Sequence, residues 1–186
     1  MRVIAGKAGS LKLKTVTGNS TRPTTDRIKE TLFNIINSYI FDSNFLDLFS
    51  GSGGIGIEAL SRGAKHCTFV ENNPSAVKCI NDNLKFTKLE SDATVFKGDF
   101  KDFLFENKKN SHTFDIIFMD PPYDNNFEKE ALKLLAESKL ADESTLIIVE
   151  CSLETDFSYI KDIGYHIIRR KEYKTNAHVF LKKAGM

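Results

Sequence analysis

Residues 47–56 of this chain read Asp47-Leu48-Phe49-Ser50-Gly51-Ser52-Gly53-Gly54-Ile55-Gly56. The glycines match the spacing G-x-G-x-x-G at Gly51, Gly53 and Gly56, and the loop stands between an apolar run and a helical pattern. In that setting the spacing predicts a nucleotide-like cofactor at the start of the helix. Glu71 ends the next apolar run, 20 positions after Gly51, where an acidic ligand for a ribose hydroxyl is expected. The loop and this carboxylate are therefore predicted to bind a cofactor together.

The charge of Asp47 indicates which cofactor this is. A carboxylate at the edge of the loop would repel a pyrophosphate, because like charges repel strongly where little water screens them. S-adenosylmethionine has no phosphate but carries a sulfonium and an α-ammonium group, which the same carboxylate attracts. The loop thus favours S-adenosylmethionine over NAD. Asp99 ends the third apolar run and could accept a hydrogen bond from the adenine amino group, while Phe100 packs on the adenine ring.

The order of apolar runs and helical patterns predicts an α/β fold. Nearly continuous apolar runs, typical of strands covered on both faces, lie at 45–49, 67–71, 93–97, 114–119 and 145–150. Helical patterns lie between and after them, at 55–61, 74–86, 99–106, 127–140 and 157–162. This alternation indicates a doubly wound parallel sheet that binds ligands beyond the carboxyl ends of its strands. Two further strands, 165–169 and 178–182, are too close for a crossover helix and must pair antiparallel. We therefore expect a seven-stranded, mostly parallel sheet with helices on both faces.

The whole chain, residues 1–186, is predicted to be a single domain. Within it, residues 1–40 are predicted to form a basic extension. Strand-like pieces at 2–5 and 11–16 flank a glycine-containing turn, which predicts a hairpin. A helix follows, opened by residues 23–26, with apolar positions at helical spacing up to residue 40. The extension holds seven Lys/Arg against two acidic residues, a net +5, and residues 161–186 also sum to +5. If the two segments meet, they would form a face for a polyanion.

Composition excludes several classes of protein. With 186 residues, 41% hydrophobic and 27% charged, the chain has the make-up of one globular domain rather than a disordered or fibrous protein. Its apolar runs are far shorter than the roughly 20 residues that cross a bilayer. The three cysteines are too scattered for a disulfide framework or a zinc site, and the four histidines lack ligand spacing. We therefore expect a cytoplasmic protein without a metal, in which the cysteines are buried.

A second motif, Asp120-Pro121-Pro122-Tyr123, ends the fourth predicted strand. Two prolines fix φ and remove two N–H donors, so the turn is stiff and its carbonyl groups stand as acceptors beside the Asp120 carboxylate. A planar amine is a poor nucleophile, because its lone pair is delocalised. Two acceptors that hold its hydrogens would favour a pyramidal nitrogen and aim the lone pair at a methyl donor. Tyr123 could stack on a flipped base.

The turn alone does not identify the acceptor. A guanine N2 amine, an adenine N6 amine in DNA and a glutamine amide of a protein would each fit it. The short basic extension, and the lack of room for a large target-recognition domain, favour an RNA base. An NAD-dependent oxidoreductase is also compatible with the glycine pattern and Glu71, although Asp47 opposes it. The last alternative is an RNA-binding module without catalysis.

Taken together, the loop 47–56, Glu71, Asp99 and the Asp120 turn resemble the class I S-adenosylmethionine-dependent methyltransferases that modify exocyclic or amide nitrogens. Further blocks read Arg22-Pro23-Thr24-Thr25-Asp26-Arg27, Leu32-Phe33-Asn34 and Glu58-Ala59-Leu60-Ser61-Arg62-Gly63-Ala64. With these, nearly the whole chain resembles the RsmD family, which methylates N2 of a guanine in bacterial 16S ribosomal RNA. One departure lies in the last hairpin, where Tyr173 is followed by Lys174 rather than by the glycine usual in that family.

The resemblance implies a role for each matching residue. Asp120, the Pro121 carbonyl group and Tyr123 would hold the guanine. The residues that would hold S-adenosylmethionine are Asp47, Gly51, Gly53, Glu71, Asp99 and Phe100. Those that would contact the RNA backbone are Lys7, Lys12, Lys14 and Arg22. The methyl group would pass directly from sulfur to nitrogen, without a covalent enzyme intermediate or a metal.

Overall fold

A computed structural model of the chain describes residues 1–16, 26–109, 112–123 and 125–185. These residues form seven strands: β1 Asn44–Asp47, β2 His66–Glu71, β3 Ala93–Lys97, β4 Ile116–Met119, β5 Leu146–Ser152, β6 Tyr165–Glu172 and β7 Asn176–Lys183. They also form five α-helices: α1 Asp26–Ile40, α2 Gly54–Ser61, α3 Pro74–Thr87, α4 Phe100–Asn107 and α5 Phe127–Ala136. Short 3-10 helices lie at Glu90–Asp92 and Ser158–Ile163. No helix in these ranges is long and apolar enough to cross a membrane.

The strands form one sheet in the order β3-β2-β1-β4-β5-β7-β6. All neighbouring strands are parallel except at β7, which runs antiparallel to both β5 and β6. The predicted seven-stranded, mostly parallel sheet is therefore confirmed, as is the antiparallel pairing of the last two strands. The strand order reverses between β1 and β4, and in open α/β sheets ligands bind outside the carboxyl ends of the strands at such a point.

Each face of the sheet is covered by its own apolar cluster, as the continuous apolar runs predicted. One cluster joins the N-terminal segment with α1, α2 and α3, through side chains such as Val3, Phe33 and Ile80. The other joins α4, α5 and the segment after β5, through side chains such as Leu104 and Leu132. Because both faces of the sheet are covered, a ligand-binding site is expected at the edge where the strands have their carboxyl ends.

Three predicted elements differ from the structure. The helix predicted at 127–140 ends at Ala136, because the Ser138 hydroxyl donates to the Leu135 carbonyl (3.0 Å) and accepts from the Leu140 amide (3.2 Å). The helix predicted at 157–162 is a 3-10 helix. The N-terminal hairpin is reduced to one antiparallel bridge, between Arg2 and Lys12. The residues predicted to open α1 lie partly outside the described ranges, which resume at Asp26.

The arms of the hairpin keep three backbone hydrogen bonds to each other, from Val3 to Leu11, from Leu13 to Met1 and from Ser10 to Val3. Other backbone groups of this segment bond to side chains of the domain. The amides of Ile4 and Ala5 donate to the two carboxylate oxygens of Glu58 in α2, at 2.7 and 3.1 Å. The amide and carbonyl groups of Lys14 both bond to the Asn83 side chain in α3, at 2.9 and 3.0 Å. A side chain at Gly6 would collide with the Ser61 carbonyl oxygen. The extension is thus attached along α2 and α3, next to the glycine loop.

Candidate active site

The glycine loop is a tight turn that brings α2 close to the sheet. Gly51 and Gly53 have φ of 53° and 80°, in the left-handed region that favours glycine. The Gly53 amide donates to the Ser50 carbonyl at 2.7 Å. A Cβ atom at Gly56 would lie 2.3 Å from the Phe69 ring and 2.6 Å from the Cys67 sulfur. The three glycines of the motif therefore serve the turn and the close packing of α2 on β2, as in dinucleotide-binding loops.

Asp47 lies beneath this loop. Its carboxylate is 1% exposed and accepts a hydrogen bond from the Gly56 amide at 3.0 Å. Burial raises the pKa of Asp47 to about 7; the Gly56 hydrogen bond opposes this, and the charge of Glu71 adds to it. Asp47 thus supports the loop through the helix terminus, and direct contact of its carboxylate with a cofactor remains a prediction.

Glu71 lies at the carboxyl end of β2, beside the loop. One carboxylate oxygen accepts from the Gly51 amide at 2.8 Å, and the other accepts from the Asn73 amide at 2.8 Å. Its side chain is only partly buried. The residue predicted to bind a ribose is therefore joined to the loop predicted to bind the same cofactor.

Asp99 and Phe100 lie at the start of α4. Asp99 is the N-cap of this helix, and its side chain accepts from the Lys101 amide at 2.9 Å. Phe100 is 4% exposed, with its ring centroid 4.9 Å from that of Phe49 and 5.6 Å from that of Phe127. Phe49, which sequence reasoning did not assign, belongs to the glycine loop and is partly exposed, as is Phe127. Contact of Phe100 with an adenine ring remains a prediction.

The Asp120 turn follows β4 directly, next to the glycine loop. The adjacency comes from the pairing of β1 with β4, in which Asp47 is opposite Phe118. The Leu48 amide extends this pairing by donating to the Phe118 carbonyl at 2.9 Å. Burial raises the pKa of Asp120 well above its usual range, and the charges of Glu150 and Asp47 raise it further. The two motifs of the sequence thus meet at the switch point of the sheet.

Within the turn, the two prolines separate a buried end from an exposed one. Pro121 is buried, whereas Tyr123 is 43% exposed. The Asn125 side chain donates to the Tyr123 carbonyl at 3.0 Å. The turn therefore combines a fixed backbone with an aromatic ring that faces solvent, as a stacking role requires.

A buried polar network stands beside the turn and was not predicted. One oxygen of Glu150, in β5, accepts from the Asn176 side chain at 2.6 Å, and the other lies 3.0 Å from Nε2 of His178 in β7. Nδ1 of His178 is 3.1 Å from the Tyr173 hydroxyl. His178 is fully buried in its strand. The hairpin turn that departs from the family pattern is therefore attached through Tyr173 and Asn176 to a carboxylate next to Asp120.

The predicted RNA-contacting lysines lie on the N-terminal extension. Lys7, Lys12 and Lys14 are exposed, and the ammonium group of Lys14 pairs with Asp82 at 3.2 Å. Arg22 lies outside the described residues. Residues 1–16 of the extension pack on α2 and α3, whereas α1 shares an apolar cluster with Phe180 of β7. That the two basic segments form one face for a polyanion stays a prediction.

The cysteines are buried, as predicted, and none of them belongs to the turn. Within the described ranges, no group of three or more His, Cys, Asp or Glu side chains could hold a metal ion.

Comparison with known proteins decides the family. A family model described as "Conserved hypothetical protein 95" matches residues 1–182. The Bacillus subtilis protein YlbH is 40% identical over 186 residues, all of both chains. This chain belongs to the RsmD family. The resemblance of the sequence blocks to that family is therefore confirmed.

Other family relatives agree in sequence and in fold. A Haemophilus influenzae protein named ribosomal RNA small subunit methyltransferase D is 38% identical over 172 residues, which are 92% of this chain and 88% of the relative. The solved structure of Escherichia coli yhhF is 32% identical, with a TM-score of 0.84 over 100% of this chain and 99% of the other. The fold is that of the class I methyltransferases.

Proposed function

We propose that this protein transfers a methyl group from S-adenosylmethionine to the exocyclic N2 amine of a guanine in 16S ribosomal RNA. The observation that carries the proposal is the position of the Asp120 turn, which lies beside the glycine loop because β4 pairs with β1. An amine held at the turn would stand next to a cofactor held at the loop. Relatives from Haemophilus influenzae and Escherichia coli that are named ribosomal RNA small subunit methyltransferase D support the substrate class.

The charges around the loop fit S-adenosylmethionine. The charge of Glu71 acts on Asp47, and that of Asp47 acts on Asp120, so this acidic site suits a cation better than a pyrophosphate. When bound, this cofactor supplies a methyl group on a positively charged sulfur. Glu71 would hold its ribose and Asp99 its adenine amino group, each as a hydrogen-bond acceptor. The names of the family relatives likewise favour methyl transfer over NAD-dependent oxidation.

On the acceptor side, the turn supplies groups that are already in place. The Asp120 carboxylate and the Pro121 carbonyl group would accept the two hydrogens of the guanine amine, which favours a pyramidal nitrogen with an available lone pair. Tyr123, exposed beside them, would stack on the base. Because the prolines hold the turn rigid, little conformational entropy is lost when the base binds.

The proposal is tested with ribosomal RNA from a bacterial strain that lacks this modification. Purified protein and S-adenosylmethionine with a labelled methyl group are incubated with this RNA or with its small ribosomal subunit, and the nucleosides are identified by mass spectrometry. N2-methylguanosine in the 16S RNA is expected. Label in adenosine, in protein or in no product would contradict the proposal.

Replacing Glu71 with Ala tests the cofactor side of the site. Hydrogen bonds to a charged group contribute about 1.5–3 kcal/mol, so the Kd for S-adenosylhomocysteine should rise roughly tenfold to a hundredfold. Isothermal titration calorimetry measures this directly. The matched control is Glu90→Ala, at an exposed position in the 3-10 helix before β3. Equal affinity of the Glu71 variant and the wild type would remove Glu71 from the cofactor site.

A further inference from the structure

A cavity of about 230 Å³ opens beside the turn. Its walls come from the turn, from the start of α5 and from the segment after β5, and they include Pro121, Tyr123, Glu128, Glu150 and Tyr159. The volume is below the roughly 300–1,000 Å³ of pockets for drug-sized ligands. It suits a group of the size of one nucleobase, placed next to the acceptors of the turn.

Glu128, the second residue of α5, is a buried carboxylate in the wall of this cavity. It is 7% exposed, and it forms no hydrogen bond or ion pair with any residue that the structure describes. By contrast, both oxygens of the neighbouring Glu150 are hydrogen-bonded. The charge of Glu128 acts on Tyr159 and Cys151, two further residues of the cavity wall, and contributes to raising the pKa of both. The negative charge of Glu128 therefore acts on other side chains that line the cavity.

The Glu128 carboxylate can therefore accept hydrogen bonds that none of the described residues donates to it. Its oxygens are not among the fully enclosed polar atoms without a partner, so they are accessible from the cavity, where they could accept hydrogen bonds from N–H groups of a ligand. The nearest cation in the wall is already engaged, since the Lys129 ammonium lies 4.5 Å from the centre of the Tyr159 ring. The Tyr159 hydroxyl is also buried without a hydrogen-bond partner among the described residues. Both groups could accept from a ligand in the cavity.

The nucleobase edges differ in what they offer to a carboxylate. Guanine presents N1–H directly beside its N2 amine, so two neighbouring donors point the same way. Adenine presents an acceptor, N1, beside its amine, and cytosine presents N3 in the same position. A base held by its amine at the turn would therefore bring a donor to a nearby carboxylate only if it is guanine. Any other amine-bearing base would place a lone pair against the negative charge.

We propose that Glu128 selects guanine, its carboxylate accepting the N1–H of the base whose N2 amine is held by Asp120 and Pro121. The inference rests on the proposed function and adds the residue that distinguishes guanine from the other amine-bearing bases. A well-placed hydrogen bond of this kind discriminates against the wrong base by about tenfold to a hundredfold.

The test compares two versions of one RNA substrate, with guanine or 2,6-diaminopurine at the target position. 2,6-Diaminopurine keeps the N2 amine but has an acceptor at N1. Wild-type protein should methylate the guanine RNA with a kcat/KM about tenfold to a hundredfold higher. Glu128→Gln, whose amide can donate to the N1 acceptor, should lower kcat/KM for guanine and reduce this ratio at least tenfold. The matched control is Glu130→Gln, in the same helix but paired with Lys101 at 2.8 Å, which should keep the wild-type ratio.

The outcomes separate the inference from the function on which it rests. If wild-type protein forms N2-methylguanine but does not distinguish the two RNAs, Glu128 does not select the base, although the proposed function stands. The same holds if Glu128→Gln lowers both rates equally, as a purely structural residue would. If wild-type protein methylates neither of the two RNAs and does not methylate ribosomal RNA, the proposed function itself is contradicted, and the inference about Glu128 falls with it. The comparison within wild-type protein needs no variant, so an absent preference for guanine overturns the inference even if Glu128→Gln does not fold.

Discussion

Replacing Asp120 with Ala should lower the rate of methyl transfer about 100- to 1000-fold, the range for removing one preorganised polar group from a reacting centre. The affinity for S-adenosylhomocysteine should stay nearly unchanged, because the cofactor is assigned to the loop and to Glu71. The fold should also tolerate the change, since the charges of Glu150 and Asp47 disfavour the ionised Asp120 carboxylate. Single-turnover transfer of a labelled methyl group measures the rate, and calorimetry measures the affinity. The matched control is Asp102→Ala, at an exposed position in α4.

The acidic limb of the pH–rate profile gives a second measure of the same residue. Only the ionised carboxylate is purely an acceptor, and burial beside Glu150 raises the pKa of Asp120 well above its usual range. Transfer by the wild type should therefore begin to fall at a pH well above 4 as the pH is lowered. In Asp120→Asn the contribution of Asp120 to this limb should disappear, leaving that of Asp47, whose pKa is about 7. The rate should exceed that of the Ala variant because one oxygen acceptor remains. Retained wild-type turnover in Asp120→Ala would show that the turn does not hold the amine.

The predictions from sequence succeeded where a feature is encoded by neighbouring residues. The glycine loop, Glu71 and the Asp120 turn each stand at the end of an apolar run. Parallel strands place such ends at one edge of the sheet. Although the strand order itself was not predicted, the α/β alternation predicted the mostly parallel sheet, a class with few possible topologies. For this reason the amino-acid sequence alone was enough to place the two central motifs together.

Features that depend on distant pairing could not be predicted in the same way. Glu150 meets His178 because β7 inserts antiparallel beside β5, in a register that pairs these two residues. Nothing in either strand alone indicates that register. In the sequence, Glu128 looks like an ordinary acidic residue in the first turn of a helix. It becomes part of a cavity wall only because the segment after β5 packs beside it. The sequence showed only that Glu150 lies near the end of a predicted strand and Glu128 near the start of a predicted helix, which did not indicate a role for either residue.

The N-terminal extension shows the same limit in its packing. Its lysines indicated a polyanion surface, but the sequence did not show that Glu58 would attach it to the domain. Glu58 and Lys29 are both fully buried, with 3.0 Å between their charged atoms, and Arg62 lies 2.7 Å from the other oxygen of Glu58. In the sequence these residues look like exposed charges of α1 and α2. The network forms only when the two helices and the extension meet.

Replacing Glu58 with Gln should therefore destabilise the protein by roughly 3–5 kcal/mol, the usual cost of leaving a buried charge without its partner. This is a large part of the roughly 5–15 kcal/mol that stabilises a typical domain. Lys29→Met should cost less, because Glu58 would keep Arg62 and the amides of Ile4 and Ala5 as partners. Urea denaturation followed by far-UV circular dichroism measures both, since the chain has no tryptophan.

The pH dependence of the Glu58→Gln variant distinguishes a buried charge from a simple packing defect. Burial lowers the pKa of Lys29, and the charge of Glu58 opposes this shift. Without Glu58 the folded state should release the lysine proton at a lower pH than the unfolded state does. The unfolded state then binds more protons, so the stability of the variant should rise with pH and approach that of the wild type in alkaline solution. The matched control, Glu137→Gln, breaks an exposed pair with Lys108 and should leave the midpoint close to that of the wild type. A loss of stability in Glu58→Gln that stays constant with pH would mean that the unpaired Lys29 charge is not its cause.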